Sequence, residues 1–148
     1  MSILPIVKQV ERFIVTGFCV RTQNKDEFNE KTAKIPSLWQ QFYNSELATS
    51  ANIFGVYSSY DSDANGPYTV TAGVESSHTQ DQLSSVTIQA GHYLVFQGTG
   101  LMPVTVIETW KRVWEFFETN TEYRRHFISD FEAYSGSNQV AIYIGLES

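Results

Sequence analysis

Phe131-Glu132-Ala133-Tyr134-Ser135, late in the chain, echoes Phe54-Gly55-Val56-Tyr57-Ser58, which lies 77 residues earlier. Both stretches alternate apolar and small or polar side chains, the period of a β-strand. Working outward, Gly73-Val74-Glu75-Ser76 returns as Gly145-Leu146-Glu147-Ser148 at an offset of 72, and Trp39 returns as Trp110 at an offset of 71. Pro36 and Pro103 each follow an apolar residue and each precede a helical pattern. The matches keep their order, so the chain reads as two copies of one unit, about residues 8–76 and 86–148, forming one domain. Two copies argue for a pseudo-symmetric domain and against a solenoid.

Each unit reads strand, helix, strand, strand. In the first, strands are expected near Phe13–Thr22, Ile53–Ser59 and Tyr68–Glu75, with a helix about Ser37–Leu47 after the polar run from Gln23 to Lys34. Pro36 suits the first turn of that helix. In the second, strands are expected about Val86–Gln97, Ser129–Ser135 and Gln139–Leu146, with a helix about Val104–Glu118. On this helix Ile107, Trp110, Trp114 and Phe117 form one apolar stripe. The turn from Asp61 to Pro67 and the turn Gly136-Ser137-Asn138 are dense in turn formers. The expected fold class is α+β, a largely antiparallel sheet carrying two helices on one face.

Composition narrows the function. The 148 residues are 42% hydrophobic and 14% aromatic, enough for a sizeable core. Net charge is −6, and the only basic clusters, Lys111-Arg112 and Arg124-Arg125, are flanked by acids and read as solvated helix faces. Cys19 is the single cysteine, which excludes an internal disulfide and a multi-cysteine zinc site; between Phe18 and Val20 it reads as a buried small residue. No run of eighteen apolar residues occurs and no signal peptide is evident, so a cytoplasmic location is expected. HExxH, CxxC, GxGxxG and Walker patterns are absent. His78, His92 and His126 are scattered, and Ser76-Ser77-His78 is not a nucleophile elbow, so neither metal nor cofactor is expected.

Strand alternation proposes the site. Val140, Ile142, Ile144 and Leu146 are expected to face the helices together with Phe131, Ala133, Phe54, Val56, Val70, Ala72 and Val74. The other face would then hold Glu132, Tyr57, Tyr134 and Tyr143, spaced by Gly55, Gly73, Ala141 and Gly145. Small residues among aromatics make a groove, and Glu132, whose counterpart is Gly55, puts one carboxylate in it. Trp39 and Trp110 by themselves read as core.

These residues, with the Ile88-Gln89-Ala90-Gly91-His92-Tyr93 entry to the second unit and the Asp130-Phe131-Glu132-Ala133-Tyr134 strand, resemble the gyrase-inhibitor-like effector-binding domain. That domain is also the C-terminal sensor of AraC- and MerR-type multidrug regulators, and free-standing versions occur on mobile gene cassettes. The resemblance covers nearly the whole chain. It implies a binding protein for lipophilic, cationic, aromatic molecules, acting as a sensor or a sequestering module and not as an enzyme. In drug-binding members a glutamate on the penultimate strand sits in an aromatic groove. That glutamate matches Glu132, and the aromatic wall matches Tyr143 and Trp110, then Tyr57 and Tyr134. Two alternatives come with the resemblance: a hydrolase of small electrophilic rings using Glu132, and a protein-interaction module of the gyrase-inhibitor type. Action on genes would pass through a partner protein, either a separate DNA-binding regulator or gyrase, because no helix-turn-helix pattern stands in these residues. Oligomeric state stays open.

The charge balance carries its own prediction. A chain of net charge −6 repels the phosphate backbone. An electrophoretic mobility shift at physiological salt should show no sub-micromolar binding to duplex DNA; such binding, weakening steeply with added salt, would overturn the reading.

Overall fold

The computed structural model describes residues 5–49, 52–62, 66–75 and 83–147. The turn centred on Ala64, His78 and most of the link between the two units therefore lie outside the described residues. Among the described residues eight strands form one antiparallel sheet: β1 Ile6–Val10, β2 Phe13–Thr22, β3 Asn52–Ser58, β4 Tyr68–Glu75, β5 Ser84–Ile88, β6 Gly91–Thr99, β7 Ser129–Ser135 and β8 Gln139–Gly145. Their order is β1-β6-β8-β7-β3-β4-β2-β5. The helices are a single turn α1 Asn24–Glu27, then α2 Ile35–Tyr43 and α3 Val104–Thr119; a 3-10 turn Glu46–Thr49 follows α2. The class is α+β, as expected.

Several boundaries differ from the sequence reading. The single strand expected over residues 86–97 is two strands, because β5 ends at Ile88 and Gly91, at φ +155°, starts β6. Strand β1, with its mostly exposed side chains, has no apolar alternation to announce it. The helix expected to reach Leu47 stops at Tyr43 and continues as the 3-10 turn.

Directly opposed residues in an antiparallel sheet share a face, so the register fixes the faces. One row runs Phe18–Ala72–Gly55–Glu132–Ile142–Phe96 across β2, β4, β3, β7, β8 and β6. Helix α2 packs its buried Leu38 and Phe42 against the β4 and β2 end of this face, with Val70, Ala72 and Phe18. Helix α3 packs Val113 against the β8 and β6 end, with Ile142, Ile144, Leu94 and Phe96. Between the two helices the centre of the sheet, β3 and β7, stays open.

The opposite face is just as apolar. Val15, Val56, Ile88, Tyr93 and Phe131 bury one another there, joined by Phe13, Phe54 and Tyr143. Residues of β2 and β5 at one end of the strand order thus meet residues of β6 from the other, so the sheet curls around them. Where β2 pairs with β4, a Cβ on Gly17 would lie 2.0 Å from the Ala72 carbonyl oxygen, so this position tolerates only glycine.

Two apolar faces explain the one systematic error of the sequence reading. Alternation assigns a strand's face only when one side is wet. With both sides buried, Phe54, Val56, Phe131 and Ala133 were expected under the helices, and they line the curl instead. Cys19 is also corrected: it is exposed, and its thiol donates to Ser84 Oγ at 3.3 Å.

Candidate functional site

Glu132 lies at mid-strand on β7, directly opposite Gly55 of β3, in the gap between α2 and α3. It is only 3% exposed. Its carboxylate is held by three neutral donors: the Tyr57 hydroxyl to Oε2 at 2.9 Å, the Trp110 indole N–H to Oε2 at 2.6 Å and the Tyr134 hydroxyl to Oε1 at 2.8 Å. Burial raises its pKa and the three hydrogen bonds oppose that rise. Burial, and then the charge of Glu132, hold the Tyr57 and Tyr134 hydroxyls well above the ordinary phenol range. Both phenols therefore stay protonated and donating.

The place is made by a missing side chain. A Cβ on Gly55 would lie 2.7 Å from Glu132 Oε1 and 2.9 Å from Trp39 Cζ2. Glycine here admits both the carboxylate and the indole.

Above Glu132 opens a cavity of about 950 Å³. Its walls include Trp39 and Tyr43 of α2, Tyr57 of β3, Tyr68 of β4, Trp110 and Trp114 of α3, and Tyr134 of β7. The rings brace one another edge-on or tilted: Tyr57 with Trp110 at 5.1 Å, Trp39 with Tyr134 at 5.5 Å and Tyr57 with Tyr68 at 5.6 Å between centroids. Such walls offer flat apolar area and electron-rich faces but few directional groups.

A second buried carboxylate provides an internal comparison. Asp130, two residues before Glu132 on the same face, is fully buried, and the Arg125 guanidinium neutralises it at 2.7 Å. It also accepts from the Tyr60 hydroxyl at 2.5 Å and from the Gly145 N–H at 2.8 Å. Arg125, expected on a solvated helix face, is instead buried beyond the end of α3, lying over the Phe127 ring at 4.4 Å. Among the described residues the ion pairs are Arg125–Asp130 and Arg21–Asp61, so Glu132 has no cationic partner there. Those residues contain no group of three or more metal-ligating side chains, and none of their helices is long and apolar enough to cross a membrane.

Residues 6–146, which span every strand described above, match a known family, that of the integron-associated effector binding protein (Cass2). The chain belongs to this family. An integron cassette protein from the mobile metagenome of Vibrio cholerae is 33% identical, with a TM-score of 0.89 over 97% of this chain and 96% of that one. The Bacillus subtilis protein YobU, whose name proposes a transcriptional regulator, is 28% identical over 88% of this chain and 90% of its own length. The protein SAV2435, solved bound to tetraphenylphosphonium, shares the fold at 16% identity, with a TM-score of 0.76 over 99% of this chain and 95% of that one.

Within this Cass2-family fold the sequence-derived residues separate. Glu132, Tyr57, Tyr134 and Trp110 converge in one hydrogen-bonded cluster on the cavity floor. Tyr143 does not join them. It pairs with Phe131, so it shares that residue's face and stacks on its ring at 4.4 Å, on the far side of the sheet from the cavity. The groove itself is on the helix side of the sheet, where the expectation had placed the core. The α3 stripe is likewise reassigned: Thr109 and Val113 are the buried residues of that helix, whereas Ile107, Trp110 and Trp114 line the cavity. Trp39, expected in the core, is a cavity wall. Tyr60 and Tyr68 were missed because nothing in their local pattern separates a cavity wall from a core, and Arg125 because its acid-flanked neighbourhood reads as solvated while its partner Asp130 lies on β7.

Two outcomes follow for the cluster. Gly55→Ala should displace the Glu132 carboxylate and Trp39, costing about 1–3 kcal/mol of stability by overpacking and shifting Trp emission; denaturant titration followed by fluorescence tests both, and an unchanged midpoint and spectrum would refute the fit. The second outcome concerns pH. The folded protein binds the Glu132 proton more tightly than the unfolded chain does, so the ionised carboxylate works against folding at neutral pH. That penalty is absent below about pH 4 and grows as pH rises through the raised pKa. Melting curves against pH should show Glu132→Gln, which keeps the shape, gaining on the wild type as pH rises; a constant gap would contradict the raised pKa.

Proposed function

We propose that this protein is a non-enzymatic binding module for lipophilic cations with aromatic surface, and that Glu132 is the charge that recognises them. One observation carries the reading: a carboxylate only 3% exposed, without a cationic partner among the described residues, lies on the floor of a large aromatic cavity. Burying an unpaired charge is costly. Asp130, on the same face, shows the ordinary remedy, an internal arginine. At Glu132 the cation comes from outside. Three hydrogen bonds orient the carboxylate without neutralising it, leaving roughly one of its four acceptor positions unused.

The aromatic walls suit the same ligand. Each well-placed ring adds about 0.5–2 kcal/mol of cation–π attraction. With few directional groups, shape and charge select the ligand and recognition is broad. The tetraphenylphosphonium bound to SAV2435 is a molecule of this class, which supports carrying it over to the present fold. Binding without turnover is favoured because the other carboxylate of the face, Asp130, is consumed by its ion pair, and the nearby phenols are committed to Glu132.

We also read the two units as pseudo-two-fold copies. The strand order runs outward alike from its middle, and Gly55 and Glu132, matched by the 77-residue offset, are paired with each other. An axis through that pair would make Glu132 the one charge at the centre of the molecule.

Tetraphenylphosphonium and neutral triphenylphosphine oxide, titrated by calorimetry and Trp quenching, test the proposal. Glu132→Gln should weaken the cation by about 1–3 kcal/mol, roughly 5–150-fold, and leave the oxide nearly unchanged. The cation favours the ionised carboxylate, so wild-type affinity should be constant above the raised Glu132 pKa and fall as pH drops through it. The mutant should lack that fall. Equal losses for both ligands, or none for the cation, would reduce Glu132 to a structural residue; hydrolysis of an electrophilic ring compound that Glu132→Gln abolishes would restore the enzymatic alternative.

A further inference from the structure

The cavity has a second carboxylate. Glu27, at the end of α1, lines it together with Asn24 and Phe28, on the side where α2 begins. Its oxygens accept from the Thr22 hydroxyl at 2.5 Å and from the backbone N–H groups of Lys34 at 2.9 Å and Ile35 at 3.1 Å. The amides at the start of α2 thus hold this carboxylate in place. As at Glu132, three donors occupy about three of four acceptor positions, and neither of the ion pairs among the described residues includes it. Lys34 does not neutralise it, because its ammonium donates to the Arg21 carbonyl at 3.0 Å.

Tyr68 separates the two charges. Its hydroxyl donates to Asn24 Oδ1 at 2.6 Å on the Glu27 side, and its ring packs against Tyr57, the donor to Glu132, on the other. Burial first, then the charges of Glu27 and Glu132, push the Tyr68 hydroxyl up, so both carboxylates act on the same stretch of wall. Among the charged side chains lining the cavity, Arg125 is spent on Asp130, leaving Glu27 and Glu132 as two uncompensated negative poles joined by an aromatic wall. A volume of about 950 Å³ is at the upper end for small-molecule sites and exceeds what one compact cation needs.

We infer that the cavity accommodates elongated dications, with one cationic end at Glu132, the other at Glu27 and an apolar body along Tyr57 and Tyr68. This rests on the reading of Glu132 given above and adds a second pole to it. The shared requirement is two positive groups separated by an apolar span, as in bis-quaternary or bis-amidinium compounds.

Decamethonium and decyltrimethylammonium, which share a ten-carbon chain but carry two charges and one, are the probes. Wild type should bind decamethonium at least about tenfold more tightly. In Glu27→Gln, which keeps an acceptor for the α2 amides, the ratio of the two affinities should collapse toward one, with circular dichroism confirming the fold. In Glu132→Gln both ligands should weaken. A measurement that needs no variant accompanies these: raising ionic strength from roughly 0.05 to 0.5 M should weaken the dication more than the monocation, because two contacts are screened instead of one. Equal affinities in wild type, equal salt dependence, or a ratio untouched by Glu27→Gln would each overturn the two-pole inference. If tetraphenylphosphonium still depends on Glu132 in that case, the function proposed above stands without it; if it does not, that reading fails first.

Discussion

Everything at the centre of this molecule depends on keeping one carboxylate, Glu132, out of water without an internal cation among the described residues. Glu132 is tolerable there only because two phenols and an indole present donors to it from three different elements, β3, β7 and α3. Each donor is a large aromatic residue, so satisfying the charge and building the cavity wall are one act. The separation of α2 and α3 follows from the same constraint. Had the helices closed over β3 and β7, the carboxylate would face hydrocarbon; held apart, they leave a space whose floor is charged and whose sides are apolar.

The contrast with Asp130 shows that the arrangement is local and not a consequence of the fold. Two residues along the same strand, on the same face, the polypeptide neutralises a buried carboxylate completely, with Arg125, a tyrosine and a backbone amide. The fold can supply a cation to this surface. At Glu132 it supplies neutral donors only, which orient the charge and leave its field uncancelled. Under the proposed function, that difference, and not acidity as such, separates a structural carboxylate from one that recognises a ligand.

Much of this was legible in the sequence, and its limits have a physical origin. The strands Phe13–Thr22, Tyr68–Glu75 and Ser129–Ser135 were readable because they are continuous apolar or alternating runs between turn formers. The special standing of Glu132 opposite Gly55 was readable because a carboxylate replacing a glycine in an otherwise matching stretch has no local structural reason. Which face it occupied was not readable. A sheet with helices on one side and its own curl on the other buries both, and alternation then carries no sign. Tyr143 was misplaced for that reason: its partner Phe131 fixes its side, and pairing register is not written in either strand alone. Trp39 and Trp114 were opaque because an indole lining a cavity and an indole filling a core obey the same helical spacing.

The strand order has a consequence for how the site comes into being. Of the seven pairings in the sheet, β1 with β6, β2 with β5 and β3 with β7 join the first half of the chain to the second. Such distant pairings give a high contact order, which slows folding because long loops must close before they are rewarded. The pairing that sets Gly55 against Glu132 is one of these three. A fragment holding only the second half would lack the Tyr57 donor, so the full donor set around the carboxylate forms only when both halves are paired. Under the proposed function, a ligand bound there would favour that paired native state by mass action.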